Sequence, residues 1–193
     1  MKSNTLMKDL TRDAFEAQEL PLGVSSCYLG RFYRQSSLGR YLLTASAPEF
    51  PIEIKKVSVE FVTAEERGIE VPDFALSNIL GYQVHLDMNF KEDIAAFLIS
   101  YEFYDIWGQQ SAFYSHQIVS DHEKGKQNLS EPITLDMVSG VEDLFENIIP
   151  GLKPMAFYMG IISITACRTT DGALFITPQE YLQGVQSWAL GNG

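Results

Sequence analysis

Positive charge is scarce in this chain. Lys and Arg together number 14 against 25 Asp plus Glu, a formal net charge of −11. A chain so anionic repels nucleic acid and anionic lipid at long range, so neither is expected as a partner. Cysteine is scarcer still: only Cys27 and Cys167 are present. Two cysteines make no disulfide framework, and free thiols in a reducing compartment, the cytoplasm, are expected. A bridge between them is the alternative, because sequence does not give distance. No apolar run approaches the roughly 20 residues of a membrane-spanning helix. The opening MKSNTLMKDLTRD lacks the apolar core of a secretory signal. Catalytic signatures are missing too: there is no G-x-S-x-G elbow, no P-loop and no G-x-G-x-x-G dinucleotide loop.

What the chain has in quantity is aromatic and apolar residues, with 12 Phe, 9 Tyr and a hydrophobic fraction of 46% over 193 residues. That suits one domain of ordinary size with an arm, and a core that needs no disulfide staple. The densest apolar stretch is DIAAFLISYEFYDIWGQQSAFYSHQIV, Asp93 to Val119. It reads as two antiparallel strands. Phe97, Ile99, Tyr101 and Phe103 share one face of the first, and Ala96, Leu98, Ser100, Glu102 and Tyr104 the other. Asp105-Ile106-Trp107-Gly108 turns the chain, with Asp opening the turn and Gly closing it at positive φ.

Other strands follow from alternation. Val84, Leu86, Met88 and Phe90 mark a half-buried strand over 83–90. Ile52, Ile54, Val57, Val59 and Phe61 mark another, whose parity switches at Lys55-Lys56 and predicts a bulge. Residues 155–168 are apolar on both faces, as a central strand requires. Thr170-Asp171-Gly172 signals a hairpin that returns through Ala173–Ile176. Ile133, Leu135 and Met137 suggest a short strand, whereas 116–127 reads as a polar connector. Glu65–Gly68 reads as a turn and 72–80 as a single helical turn. Helices are expected over 5–19, over 139–150 behind a Ser139/Glu142 capping box, and from Thr177. This last has Thr177 as N-cap, Pro178 at N1, Glu180 at N3, and Ile176 and Tyr181 as a hydrophobic staple.

These signals divide the chain into an N-terminal helix and arm over residues 1–50, and a mainly β sandwich domain with a C-terminal helix over 51–193. The arm is the one basic, aromatic island. No acidic residue occurs between Glu19 and Glu49, while Arg31, Arg34 and Arg40 alternate with Tyr28, Phe32, Tyr33 and Tyr41. It either anchors an acidic partner or a phosphate through Arg, or lies across the protein's own acidic face. A stacking platform for single-stranded nucleic acid is a third reading.

The run ISYEFYDIWG resembles the strand and turn of bacterial immunoglobulin-like domains of the FxLYD type. DGALFITPQEYLQGVQSW is similar to the ending of small bacterial sandwich domains of unknown function, with Phe175 where a Trp is expected. The resemblance implies an immunoglobulin-like antiparallel β-sandwich and a binding role, with no catalytic residue and no cofactor.

Two function classes stay open. One is a non-enzymatic binding or assembly module, acting through a protein partner or by self-association as a homo-oligomer. Its contact residues are expected to be Trp107, Tyr104, Arg31, Arg34 and Tyr33. Trp107 has a plainer reading as a turn residue folded back over the sandwich end. The other class is a metal-dependent enzyme, should His85, His116 and His122 converge with Asp87, Asp121 and Glu123. The histidine spacing matches no metal-binding motif. Cys167, in a strand whose alternation predicts burial, is not expected as a nucleophile.

Overall fold

Alternating burial is what makes these segments strands. In Val84, Leu86, Met88 and Phe90 every second side chain is at most 3% exposed, while Asp87 between them faces solvent. One face of each such strand leaves water, and that burial fixes the register. The computed structural model describes residues 11–31, 39–63, 79–105, 107–134 and 157–191. Within these the chain is mainly β, with strands β1 (Val24–Arg31), β2 (Gly39–Ala45), β3 (Ile52–Thr63), β4 (Ile79–Phe90), β5 (Ile94–Tyr104), β6 (Gln110–His122), β7 (Gly125–Thr134), β8 (Met159–Thr169) and β9 (Leu174–Ile176). Two helices flank them, α1 (Arg12–Glu16) and α2 (Gln179–Ala189).

The strands form two sheets. The larger runs β1-β2-β8-β5-β6, with β9 also paired to β8; the smaller runs β3-β4-β7. Pairing is antiparallel except between β2 and β8, which run parallel. β8 is the spine. β5 lies along one side of it, while β2 covers Met159–Ser163 on the other side and β9 covers Ala166–Arg168. Its residues from Met159 to Ile164 are buried on both faces, as the apolar run predicts.

The sheets pack face to face as a sandwich. Ile52, Ile54, Val57, Val84, Leu86 and Phe90 of the smaller sheet meet Phe97, Ile99, Tyr101, Phe103, Ile162 and Ile164 of the larger. The alternation expected for β5 thus holds, and so does the irregularity at Lys55-Lys56, where the register between β3 and β4 shifts. A second apolar layer covers one end of the larger sheet's outer face. There Phe15 of α1 and Val185 and Ala189 of α2 pack on Tyr41, Leu43, Tyr104, Met159 and Ile161. Phe15 stacks on Tyr41 with centroids 3.8 Å apart.

Three expectations change. The arm over 20–50 contributes β1 and β2 to the larger sheet, and β2 is buried along its whole length. Arg40 is 3% exposed, its guanidinium 5.6 Å from the centroid of Phe157. The connector over 116–127 is the end of β6 and the start of β7, which lie in different sheets. Glu123-Lys124 carries the chain across, as Lys91–Asp93 does from β4 to β5. Asp93 ties the two crossings together: its Oδ1 accepts the Lys124 N–H at 2.7 Å and its carbonyl accepts the Thr170 N–H at 3.0 Å. Finally, Thr177 does not cap α2. Its hydroxyl donates to the Ile164 carbonyl at 2.7 Å, and the helix starts one residue later behind Pro178. Ile176 is 70% exposed, so the expected staple is not closed.

Of the helix expected over 5–19, residues 5–10 lie outside the described residues; within the rest, α1 spans Arg12–Glu16, with the Thr11 hydroxyl accepting the Ala14 N–H at 3.3 Å. The turn at 65–68, the helical turn expected over 72–80 up to residue 78, the strand beyond Thr134 and the helix over 139–150 lie outside the described residues; Ile79 and Leu80 already belong to β4.

Candidate functional site

The β5–β6 hairpin turn is fixed by its own sequence. The Asp105 carboxylate accepts the N–H groups of Trp107 and Gln109, each at 2.9 Å. The Gly108 N–H donates to the Asp105 carbonyl at 3.0 Å, and Gly108 takes φ 73°. A residue with a Cβ is disfavoured there. The turn therefore holds its outermost side chain, Trp107, in water: the indole is 75% exposed, not folded back over the sandwich end.

The outer face of the larger sheet is built by register. Opposed residues in adjacent strands share a face. Glu102, Ser100, Leu98 and Ala96 of β5 oppose Phe113, Ser115, Gln117 and Val119 of β6. Leu98 and Ala96 also oppose Ala166 and Arg168 of β8, which in turn oppose Ile176 and Leu174 of β9. α2 and α1 cover the end of this face around Met159 and Ile161. The other end is uncovered among the described residues. Six large apolar side chains are strongly exposed among those residues, and four of them lie on this face: Phe113 at 57%, Val119 at 70%, Leu174 at 57% and Ile176 at 70%. Phe113 and Val119 stand on β6 and Leu174 and Ile176 on β9, with Ala96 and Leu98 of β5 and Ala166 and the exposed Arg168 of β8 between them; large apolar side chains exposed together on one face point to a contact surface.

Under the helical cover lies a polar cluster. Glu102, 9% exposed, accepts hydrogen bonds from the Tyr104 hydroxyl and, at 2.6 Å, from the Gln186 amide of α2. Burial, and then the bond to Glu102, push the Tyr104 phenol well above its ordinary range. Tyr104 is 6% exposed, which corrects its expected place beside Trp107 on an open surface. Alternation put Tyr104 on the outer face, and that is where it lies; the cover of α2 is what sequence did not reveal. Arg31 ends β1 opposite Gly39. Its side chain, and Tyr33 and Arg34 entirely, lie outside what is described.

The histidines do not assemble. His85 stands on the outer surface of the smaller sheet, with Ser130 Oγ 3.2 Å from Nδ1 and a Glu60 oxygen 3.6 Å from Nε2. His122 sits at the corner of the sandwich, its ring 5.3 Å from Phe90 and 5.7 Å from Phe97, with Ser120 Oγ 2.8 Å from Nε2. His116 opposes Ile99, so it lies on the larger sheet's inner face near the β6 edge. Among the described residues no three His, Cys, Asp or Glu side chains are grouped to hold a metal ion. The Cys167 thiol is 2% exposed, and burial pushes its pKa up to about 11, so little thiolate exists at neutral pH. Both cysteines are free.

Phe113, Val119, Leu174 and Ile176 escaped sequence reasoning. The signal that could have found the first two is the charge-free run: no Asp, Glu, Lys or Arg occurs between Asp105 and Asp121. In so acidic a chain that is a segment kept clear of repulsion. No protein-family model, curated protein or solved structure matches the chain. No helix among the described residues is long and apolar enough to cross a membrane.

Proposed function

We propose that this chain is a non-enzymatic binding or assembly module that acts through protein–protein contacts. The contact surface is the β5–β6 hairpin and the open outer face beside it. The observation that carries the reading is four exposed apolar side chains on one sheet face, two of them on β6 of the hairpin whose turn, at the covered end, presents Trp107. Exposed aromatic side chains such as Trp and Phe commonly anchor interfaces. The proposal extends to an immunoglobulin-like form of the sandwich. Two face-packed sheets and the Gly-closed β5–β6 turn support it, while the parallel β2–β8 pair departs from the antiparallel sheets of the common form.

Site-specific photo-crosslinking in cell extract tests the function. A photo-reactive side chain replacing Val119 is expected to give discrete protein adducts. The same group replacing Asp87, exposed on the far surface of the smaller sheet, is expected to give none. No adduct from 119, or the same adducts from both positions, would contradict the reading.

A further inference from the structure

Among the described residues β6 pairs with β5 alone, so one long edge of the larger sheet is open. Edge strands offer a row of backbone donors and acceptors to any other strand, and proteins usually blunt them with Lys, Pro or a charge turned inward. The β6 sequence, QSAFYSHQIVSDH, has neither Lys nor Pro, and its one carboxylate is Asp121, next to its end. A partner of the same chain brings another net charge of −11. Two such molecules approach most easily where neither carries charge, and from Ile106 to Ser120 neither does.

The strand is also complementary to itself. Laid antiparallel on a copy of itself, with a two-fold axis through His116 and perpendicular to the sheet, it sets Phe113 opposite Val119. Tyr114 then meets Ile118, Ala112 meets Ser120, and Ser115 meets Gln117. Phe113 and Val119 are the two exposed apolar side chains of the outer face of β6, while Tyr114 and Ile118 lie on the inner face, partly buried against the core. Both faces therefore match at once. Moving the axis to Ser115 or Gln117 breaks this: Phe113 would face Gln117 in the first case and Asp121 in the second. A shift by one residue would set inner side chains against outer ones, which a continuous sheet does not allow. In the His116 register Asp121 faces Ser111, so no like charges oppose each other.

We propose that β6 is a self-pairing edge. It joins β6 of a second copy, antiparallel about His116, and makes one continuous sheet across a two-fold dimer. This inference rests on the contact-module reading and names its partner. A single strand pair belongs to the smaller class of interfaces, so association is expected at concentrations on the order of 1–100 μM.

Two experiments on the purified full chain test it. Sedimentation velocity over that range is expected to show a monomer passing to a dimer. The double substitution Phe113→Lys, Val119→Lys is expected to stay monomeric with an unchanged circular dichroism spectrum, since both side chains are exposed. The second test fixes the register. Directly opposed residues of an antiparallel pair have Cα atoms about 4.5–5.5 Å apart, within disulfide reach. In a Cys27→Ser background, His116→Cys is expected to form a covalent dimer on oxidation, and Ser120→Cys is not. A wild-type monomer at every concentration would overturn self-pairing, and so would a dimer that survives the double lysine substitution. Equal crosslinking at 116 and 120 would overturn the register. The wider reading has its own readout. Adducts from position 119 in extract, alongside a purified protein that stays monomeric, would sink the self-pairing and leave the contact module standing.

Discussion

Glu102 shows how a buried charge is kept in place by what it touches. Its carboxylate takes the Tyr104 hydroxyl from its own strand and the Gln186 amide from α2, so it fastens helix to sheet. Glu102→Ala leaves the buried Tyr104 hydroxyl and the half-buried Gln186 amide without this acceptor and is expected to cost about 1–3 kcal/mol of stability, read by urea denaturation. Glu102→Gln keeps an acceptor and is expected to lose less. Trp107→Ala, at a side chain 75% exposed, is expected to change stability by no more than about 0.5 kcal/mol while weakening adduct formation by the hairpin. Three phenols set the behaviour at high pH. Burial pushes Tyr41 and Tyr181 up to about 12 and raises Tyr104 as well. An unfolded Tyr ionises near about 10. The folded state therefore holds its phenol protons more tightly. The stability this contributes is complete below pH ~10 and is lost as pH rises from there through about 12. Melting temperature should fall over that window, and less steeply in Tyr181→Phe. That variant also removes the hydroxyl that bonds the carbonyls of Leu22 and Ser46 at 3.0 and 3.1 Å.

Elements whose two faces meet different surroundings were legible from the sequence. β4 alternates because its inner side chains meet the core and its outer ones meet water, and the inner face of β5 is as apolar as the core it joins. β8 reads as central because both its faces are buried. The first part of β6 reads as the return strand of the hairpin, but its end from His116 reads as a connector, because neither face there is deeply buried and no period-two contrast reaches the sequence. β2 was hidden for the opposite reason. It is buried throughout, yet carries Arg40 and Thr44, so its sequence shows the charge and aromatics of an arm and not the apolar run of a central strand. The cap of α2 differs from the sequence expectation because a Thr before a Pro can bond backward as well as forward. Thr177 bonds back to β8, a contact fixed by the sheet. Tertiary placement likewise decides Gly23, at the start of β1. It has φ 77°, and a Cβ there would lie 2.1 Å from the Ser46 carbonyl oxygen. Gly23→Ala is expected to cost about 2–4 kcal/mol. Gly172→Ala supplies the comparison, with φ 96° and open space around it; it is expected to cost about 1 kcal/mol, from the backbone alone. Thermal melts of the pair separate steric conflict from backbone strain.

At the scale of the whole molecule, the sandwich is covered on the outer face by two helices at one end and, among the described residues, is uncovered at the other. The β6 edge runs from the hairpin tip, at the covered end, to the open end, and carries no charge from Ile106 to Ser120 on a molecule of net charge −11. Self-association there works against the repulsion of the rest of the surface. Raising salt from about 0.05 to 0.5 M shortens the screening length well below the size of the domain. The dimer fraction in sedimentation is therefore expected to rise with salt. A fraction that falls would mean that attraction between opposite charges, not apolar matching, holds the copies together. Amide hydrogen exchange read strand by strand tests the central claim most directly, by comparing dilute protein with protein well above the association range. The account predicts that slowing on concentration is confined to residues 110–122 and the outer face beside them, with the edges of the smaller sheet unchanged. Identical exchange in β6 at both concentrations, or slowing centred on β3 or β7 instead, would contradict it.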